Sequence, residues 1–455
     1  MAAKKVLAAQ NSAELLSYII NVTPELRGEI DLPVQGQSIA PYGKIIMNNE
    51  RYRNAFLKTV NLIGLTVIKR NGWDNPWNFT NRGTLRYGQQ VREIINDLCD
   101  VYDYNQLSNN NTRFLETVVP NVFNYIHEVN FQKFYQNTTS DEQLAMAFEN
   151  DDLFGYIDDA IGMLYESDKY DTYIVDKYML CRRILDGTVT SVQIKNFGTK
   201  STREIVSEMK SISNKMTFRK PNYNPAGIRR ATKFEDQMAI VNTDFDAKIS
   251  TEVLATSYFR NDAELKTNMA LIDGFGDHDE ERLQKVLGDD YIPFTSSEKE
   301  ALAKIPACIL AKEWFMDYDY AFNAESGTKE TEFYNPTTLK NNHFLHHWGV
   351  KSTSPFENAV VFTQDVPAVT EVTVSPSTAS VQAGQKLQLS AAVVTTGFAN
   401  KAVVWSTNNE KAHINNAGLL TVDSDCDGGS VTVTATSVFD GSKTGTATIT
   451  VVANA

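Results

Sequence analysis

The sequence predicts an α+β body over residues 1–366 and a separate all-β sandwich over residues 367–455. Three observations predict it. At Asp365-Val366-Pro367-Ala368 the composition changes to short alternating runs of Val, Thr, Ser and Ala, with no helical stretch to the end of the chain. Before that point, apolar residues recur at helical spacing from Leu153 to Ile184. Strand-like runs such as Met238–Asn242 and Asn358–Phe362 interrupt that helical pattern. A chain of 455 residues is also too long for one core, so several domains are expected.

Residues 1–65 read as an N-terminal arm. A short helix fits Ser12–Ile20, and an extended stretch is marked by Pro33, Gly36, Pro41 and Gly43. Asn49–Val60 fits a second helix, and Leu62–Arg70 is rich enough in branched residues to read as a strand. Residues 66–97 read as a two-stranded excursion, because turn formers, aromatics and arginines mix without helical period before the strand-like Gln90–Ile95. Such an excursion has little core, so Trp73, Trp77 and Phe79 need a partner surface. That surface is either another molecule or the excursion's own domain. Arg82 and Arg86 suit intersubunit salt bridges, since Arg pairs bidentately with carboxylates.

Residues 114–186 read as mostly helical, with Ser140 as N-cap before acidic Asp141 and Glu142, and Gly187 as C-cap. Two long helices in series there would form a stiff spine. Val189–Ile194 switches to strand period, Ser201–Met216 is amphipathic, and Lys215–Arg230 is a basic loop. Met238–Asn242 and Ala270–Asp273 read as strands, Ser250–Tyr258 as a helix, and acidic Asp277–Lys304 as a helical insertion. Ile309–Tyr318 and Asn358–Phe362 are late strands. The final segment offers strands at Val369–Val374, Lys386–Val394, Ala402–Ser406, Leu419–Val422, Val431–Ser437 and Gly445–Val451, with Trp405 opposite Leu389 as a core aromatic.

Bulk chemistry excludes several classes. A net charge of −13 argues against a general nucleic-acid binder, though not against a container for DNA. Cys99, Cys181, Cys308 and Cys426 lie far apart and read as reduced structural thiols. The N-terminus turns polar at Gln10, Asn11 and Ser12, so signal-peptide export is not expected. No stretch reaches the roughly 18 apolar residues of a membrane span.

The end of the chain carries Val372-Thr373-Val374-Ser375-Pro376, Ala383-Gly384-Gln385-Lys386-Leu387, Val404-Trp405-Ser406-Thr407 and Gly445-Thr446-Ala447-Thr448-Ile449-Thr450-Val451. It resembles the bacterial immunoglobulin-like group-two (BIG2) module, a signature specific for fold and weak for function. Further upstream lie Asp74-Asn75-Pro76 ahead of Gly83, Leu85 and Gly88, then Pro120-Asn121-Val122, His127-Glu128 and Phe134-Tyr135-Gln136. Ile272-Asp273-Gly274-Phe275, Trp314-Phe315-Met316 and Ser352-Thr353-Ser354-Pro355-Phe356-Glu357 follow in order. This colinear set resembles the major capsid (head) protein of phi-twenty-nine-like short-tailed bacteriophages.

That resemblance implies a Hong-Kong-ninety-seven-type phage capsid fold: an N-terminal arm, an extended loop, and, over 98–366, a peripheral domain with a spine helix and an axial domain. The departure is 277–304, which is longer and more acidic than the family segment. The implied function is self-assembly, as pentamers and hexamers, into an icosahedral head around double-stranded DNA. Scaffolding and portal proteins would be partners, and the Ig-like module an outer appendage. The competing expectation is a surface adhesin that uses this module to hold a glycan or receptor. The absent signal peptide and the colinear head-protein motifs count against it.

No enzyme, cofactor or metal is expected. His343, His346 and His347 cluster before Trp348 without a Cys or acid at ligand spacing. His127-Glu128 fails the HExxH pattern because residue 131 is Phe. No phosphate-binding loop or GxSxG elbow exists, and no pattern supports a Lys–Asn crosslink at Lys58 or Lys69. Arg219, Lys220, Arg229, Arg230 and Lys233 form the one local positive patch, suited to packaged DNA or an acidic partner. Replacing Trp77 and Arg82 by Ala is expected to spare the monomer and abolish shells.

Overall fold

The computed structural model describes residues 11–34, 36–67, 73–86, 89–96, 98, 122–127, 130–253, 268–321, 327–415 and 418–453. Cys99, Lys69 and the second half of the helix expected over Ser250–Tyr258 lie outside them; Cys181, Cys308 and Cys426 are buried and unpaired.

The N-terminal segment has a core of its own. Helices α1 (Ser12–Val22), α2 (Ala40–Met47) and α3 (Glu50–Val67) pack with α4 (Asp141–Glu149) and α5 (Leu153–Ile157). Leu15, Leu16, Ile19, Ile46, Phe56 and Phe148 fill the centre. The stretch expected to be extended therefore holds a helix. Pro41 sits in its first turn, where a missing N–H breaks no hydrogen bond. Gly43 lets α2 approach α4, since a Cβ there would lie 2.4 Å from the Phe148 Cβ. The strand expected from Leu62 is instead, as far as Val67, the end of α3.

The excursion also differs from expectation. Strand β1 (Asn81–Arg86) pairs in parallel with a late strand, and β2 (Val91–Asn96) pairs antiparallel with β3 (Val122–His127). The two-stranded ribbon is therefore built from 91–96 and 122–127 rather than lying within 66–97. Strand β4 (Asn130–Ser140) follows, so 122–127 and 130–140 are extended rather than helical. Its odd-numbered residues point inward and its even-numbered ones toward solvent, the period of two that a half-buried strand requires.

Ser140 and Gln143 form a capping box that starts α4. α5, a π turn over Asp158–Gly162, and α6 (Met163–Leu185) make one rod from Leu153 to Leu185, about 50 Å long at 1.5 Å per residue. Gly187, at φ +71°, ends it.

Two five-stranded sheets flank this rod. In the first, β11 (Lys340–Val350) is central: β4 runs along one edge, and β10 (Thr328–Asn335) and β9 (Asp317–Ala321) follow each other along the other. β1 pairs with β9. The second has the order β5 (Thr190–Gln193), β12 (Ala359–Thr363), β8 (Ala307–Ala311), β6 (Gln237–Asn242), β7 (Met269–Ile272). Strands β8 and β12 are buried throughout and read as continuous apolar runs. The strand expected over Ile309–Tyr318 is split by a 3-10 turn at Lys312–Trp314, and its halves join different sheets.

Alternate residues of β8 separate two cores. Cys308 and Leu310 face α6, while Ala307 and Ile309 face α7 (Thr202–Met216), which starts at a second capping box, Ser201 with Glu204. Helix α8 (Thr243–Lys248) continues into a π turn at Ile249–Val253. The acidic insertion holds α9 (Glu280–Leu287) and α10 (Ser296–Ala303), docked on the rod through Leu283, Val286, Phe294 and Leu302.

Among the described residues, nine short strands from Ala368 to Val452 build the C-terminal module, including Thr378–Gln382 and Ala412–Ile414, which have no clear sequence signal. Its core of Val372, Leu389, Leu420, Val433 and Ile449 is separate from the body, and Trp405 packs half-buried at the core's edge. Loop 397–400 seats the module on the body. Ser191 donates to the Phe398 carbonyl at 3.0 Å, and a Cβ on Gly187 would lie 2.4 Å from the Ala399 carbonyl oxygen. Among the described residues no helix is long and apolar enough to cross a membrane.

Candidate assembly surfaces and the buried charges behind them

The ribbon of β2 and β3 exposes apolar side chains and is anchored at one end. Ile94 (57% exposed), Tyr125 and Ile126 face solvent. At the base His127 is buried, with Nδ1 2.8 Å from the Ser352 hydroxyl and Nε2 3.1 Å from Glu93. Ser354 donates to the other Glu93 oxygen at 3.0 Å. A polar, satisfied root thus anchors a ribbon that leaves these apolar side chains exposed.

The residues expected at subunit contacts divide. Trp77 is 0% exposed: its ring packs on Tyr173 and Phe315, and its indole N–H donates to the Leu271 carbonyl at 3.0 Å. It belongs to the core of its own chain. The expectation of an intersubunit role for it fails, because this stretch folds back onto the rod. Phe79 lies half-buried against the same rings. Arg82 bonds Glu313 of its own chain at 3.0 Å; burial disfavours its charge, but Glu313 outweighs this and raises its pKa. Arg86 is exposed. Trp73 is 43% exposed, yet its backbone is fixed at both ends: its N–H donates to Glu166, and its carbonyl accepts from Lys169.

The basic patch is weaker than its sequence suggests. Arg230 pairs with Glu357 and lies 3.8 Å from Glu313, and Lys233 lies 3.9 Å from Glu235. Arg219 and Arg229 are exposed, and Lys220 is half-buried.

The three late histidines do not converge. His343 and His347 point inward from β11 and His346 outward. Among the described residues no group of three or more His, Cys, Asp or Glu is placed to hold a metal ion. Burial lowers the His343 pKa to about 4. His347 sits between two carboxylates, 2.6 Å from Asp168 on α6 and 2.9 Å from Asp319 on β9. Burial disfavours its charge, but these two hydrogen bonds prevail and raise its pKa to about 9. A few residues on, the buried Lys351 ammonium donates to Asp176 at 2.9 Å and Asp317 at 3.0 Å, and Thr80 donates to Asp176 at 2.7 Å. Burial, then Asp176, raises the Asp317 pKa well above the usual carboxylate range. On the rod's flank, Asp171 receives a bidentate pair from Arg282 at 2.7 and 3.0 Å. The rod is therefore joined to the sheet and the insertion by ions as well as by apolar packing. The sequence carries no local mark of these pairs, since their members are up to 179 residues apart.

A long rod between two sheets and an anchored ribbon with exposed apolar side chains, with no group placed to hold a metal ion among the described residues, fit a building block. A family model described as the Phi29-like phage major capsid protein matches residues 21–363. The chain belongs to that family. This capsid protein carries, over residues 368–438, a match to the bacterial Ig-like domain (group 2). It is 30% identical over 394 residues to the major capsid protein of Bacillus phage PZA, covering 85% of this chain and 81% of the relative. It is 28% identical over 422 residues to that of Bacillus phage GA-1, covering 89% and 82%. A solved structure titled as the capsid of Staphylococcus phage Andhra aligns with TM-score 0.50 at 14% identity, over 65% of this chain and 86% of that one. That likeness supports a phage capsid fold. As a capsid protein the chain has a structural role rather than an enzymatic one.

Proposed function

We propose that copies of this capsid protein close, as pentamers and hexamers, into an icosahedral shell around double-stranded DNA. The fold is of the Hong-Kong-ninety-seven type. In this reading the ribbon of β2 and β3 belongs to the extended loop that overlaps a neighbour, the rod from Leu153 to Leu185 is the spine, and the second sheet is the axial domain. The single observation that carries it is the ribbon, whose apolar Ile94, Tyr125 and Ile126 are exposed on a root fixed by His127, Glu93 and Ser352. Large apolar side chains held rigidly in water are what a partner surface is built to cover.

Assembly takes place in the host cytoplasm with a scaffolding protein, and DNA enters through a portal. The Ig-like module projects outward, a placement supported by its separate core and its narrow seat at loop 397–400. The test is co-expression with a scaffolding partner followed by negative-stain microscopy. Closed shells are expected. Monomers under every condition, together with glycan binding by the module, would instead favour the adhesin.

A further inference from the structure

Besides the ribbon, the capsid protein presents a second apolar pair, a knob and a groove. The groove, about 720 Å³, lies between α6, residues 73–76 and the edge strand β7. Trp73, Pro76, Tyr170, Tyr173 and Leu271 line it. Trp73 stands edge-on to Tyr170 and Tyr173, at 6.3 and 5.7 Å between ring centroids, and its fixed backbone keeps the ring in place. The rim is acidic. Asp273 is exposed and held below the usual carboxylate range: partial desolvation opposes this, but the bonds from Lys177 and Tyr173 outweigh it. Asp279 accepts the Tyr170 hydroxyl at 3.2 Å, and the groove's one arginine, Arg282, is already paired with Asp171.

The knob is Phe218, 67% exposed, just past the last turn of α7. From Met209 to Phe234 the chain has no Asp or Glu, and Lys215, Arg219 and Lys220 flank the ring. An exposed aromatic among cations complements an aromatic trough rimmed by carboxylates. Both face water, and they belong to opposite sides of the second sheet, with α7 on one face and α6 on the other. A knob and groove so placed join different copies head to tail, and such contacts close into rings when the rotation permits.

We propose that Phe218 of one copy docks in the groove of the next copy around a pentamer or hexamer, against Trp73, Tyr170 and Leu271, with Arg219 and Lys220 over the acidic rim. The proposal rests on the shell-building reading. The test places p-benzoylphenylalanine at position 218, assembles shells with the scaffolding partner, and irradiates them. A product of twice the chain's mass, linked to peptides containing Trp73, Tyr170 or Leu271, is expected. Linkage elsewhere, to the scaffold or to DNA, or no linkage in intact shells, would overturn it. Phe218→Ala provides a second readout: unchanged thermal unfolding with a shell yield at least about tenfold lower, the order expected for truncating an interface anchor. Normal yield from that variant refutes the contact. If the unaltered chain forms no shells, the assembly reading is what fails.

Discussion

At the scale of single residues, the buried charges set how the protein responds to pH and to mutation. The folded pKa of His347, about 9, lies above the ordinary value of 6.5. Its contribution is therefore fully present below about 6.5 and lost as pH rises through about 9, on the order of 2–4 kcal/mol. Thermal unfolding from pH 6 to 10 should show this decline, and His347→Gln should flatten it. Asp319 has the opposite sign. Its burial is outweighed by His347, its pKa is depressed, and its contribution disappears only in acid. Lys351→Met would leave Asp176 and Asp317 facing each other in the interior, and should cost about 3–5 kcal/mol in a denaturant melt. Trp77→Ala should now destabilise the monomer by about 3–5 kcal/mol, the opposite of the surface role its sequence suggests. Trp77 looked coreless because its neighbours in sequence are turn formers. Its actual neighbours, Tyr173 and Phe315, come from distant segments.

At the scale of elements, what was legible in the sequence was local. Ser140 and Gly187 marked helix ends through a side chain and through backbone freedom, and those ends stand where expected. The all-apolar run of β12 likewise announced a buried strand. Pairings between remote segments carried no local mark: β1 with β9, and β4 with β11, are joined across the chain. Phe131, Phe134 and Tyr135 are spaced three and four apart, which imitates a helix face until β11 is known to lie alongside. The ribbon was displaced in the reading for the same reason, since β2 finds its partner beyond residue 121. Its function is testable at this scale. Ile94→Asp with Ile126→Asp should leave monomer stability within about 0.5 kcal/mol, because both side chains are exposed, and should abolish shells in negative stain.

At the scale of the whole molecule, the body and the Ig-like module have separate cores joined through a small seat. A chain ending at residue 366 should therefore fold and still form shells if the module is an appendage. Loss of shells on microscopy would make it a brace. The placement of β11 has a consequence in time. It is the strand that holds both edges of the first sheet together, yet it is made only from Lys340 onward, long after β1 and β4. A nascent chain thus carries open strand edges through most of its synthesis, a state prone to stick to others of its kind. A chain stopped at residue 337 should accordingly be insoluble, whereas one stopped at 366 should not, as a sedimentation assay would show. The ribosome cannot release a half-built brick that passes for a finished one.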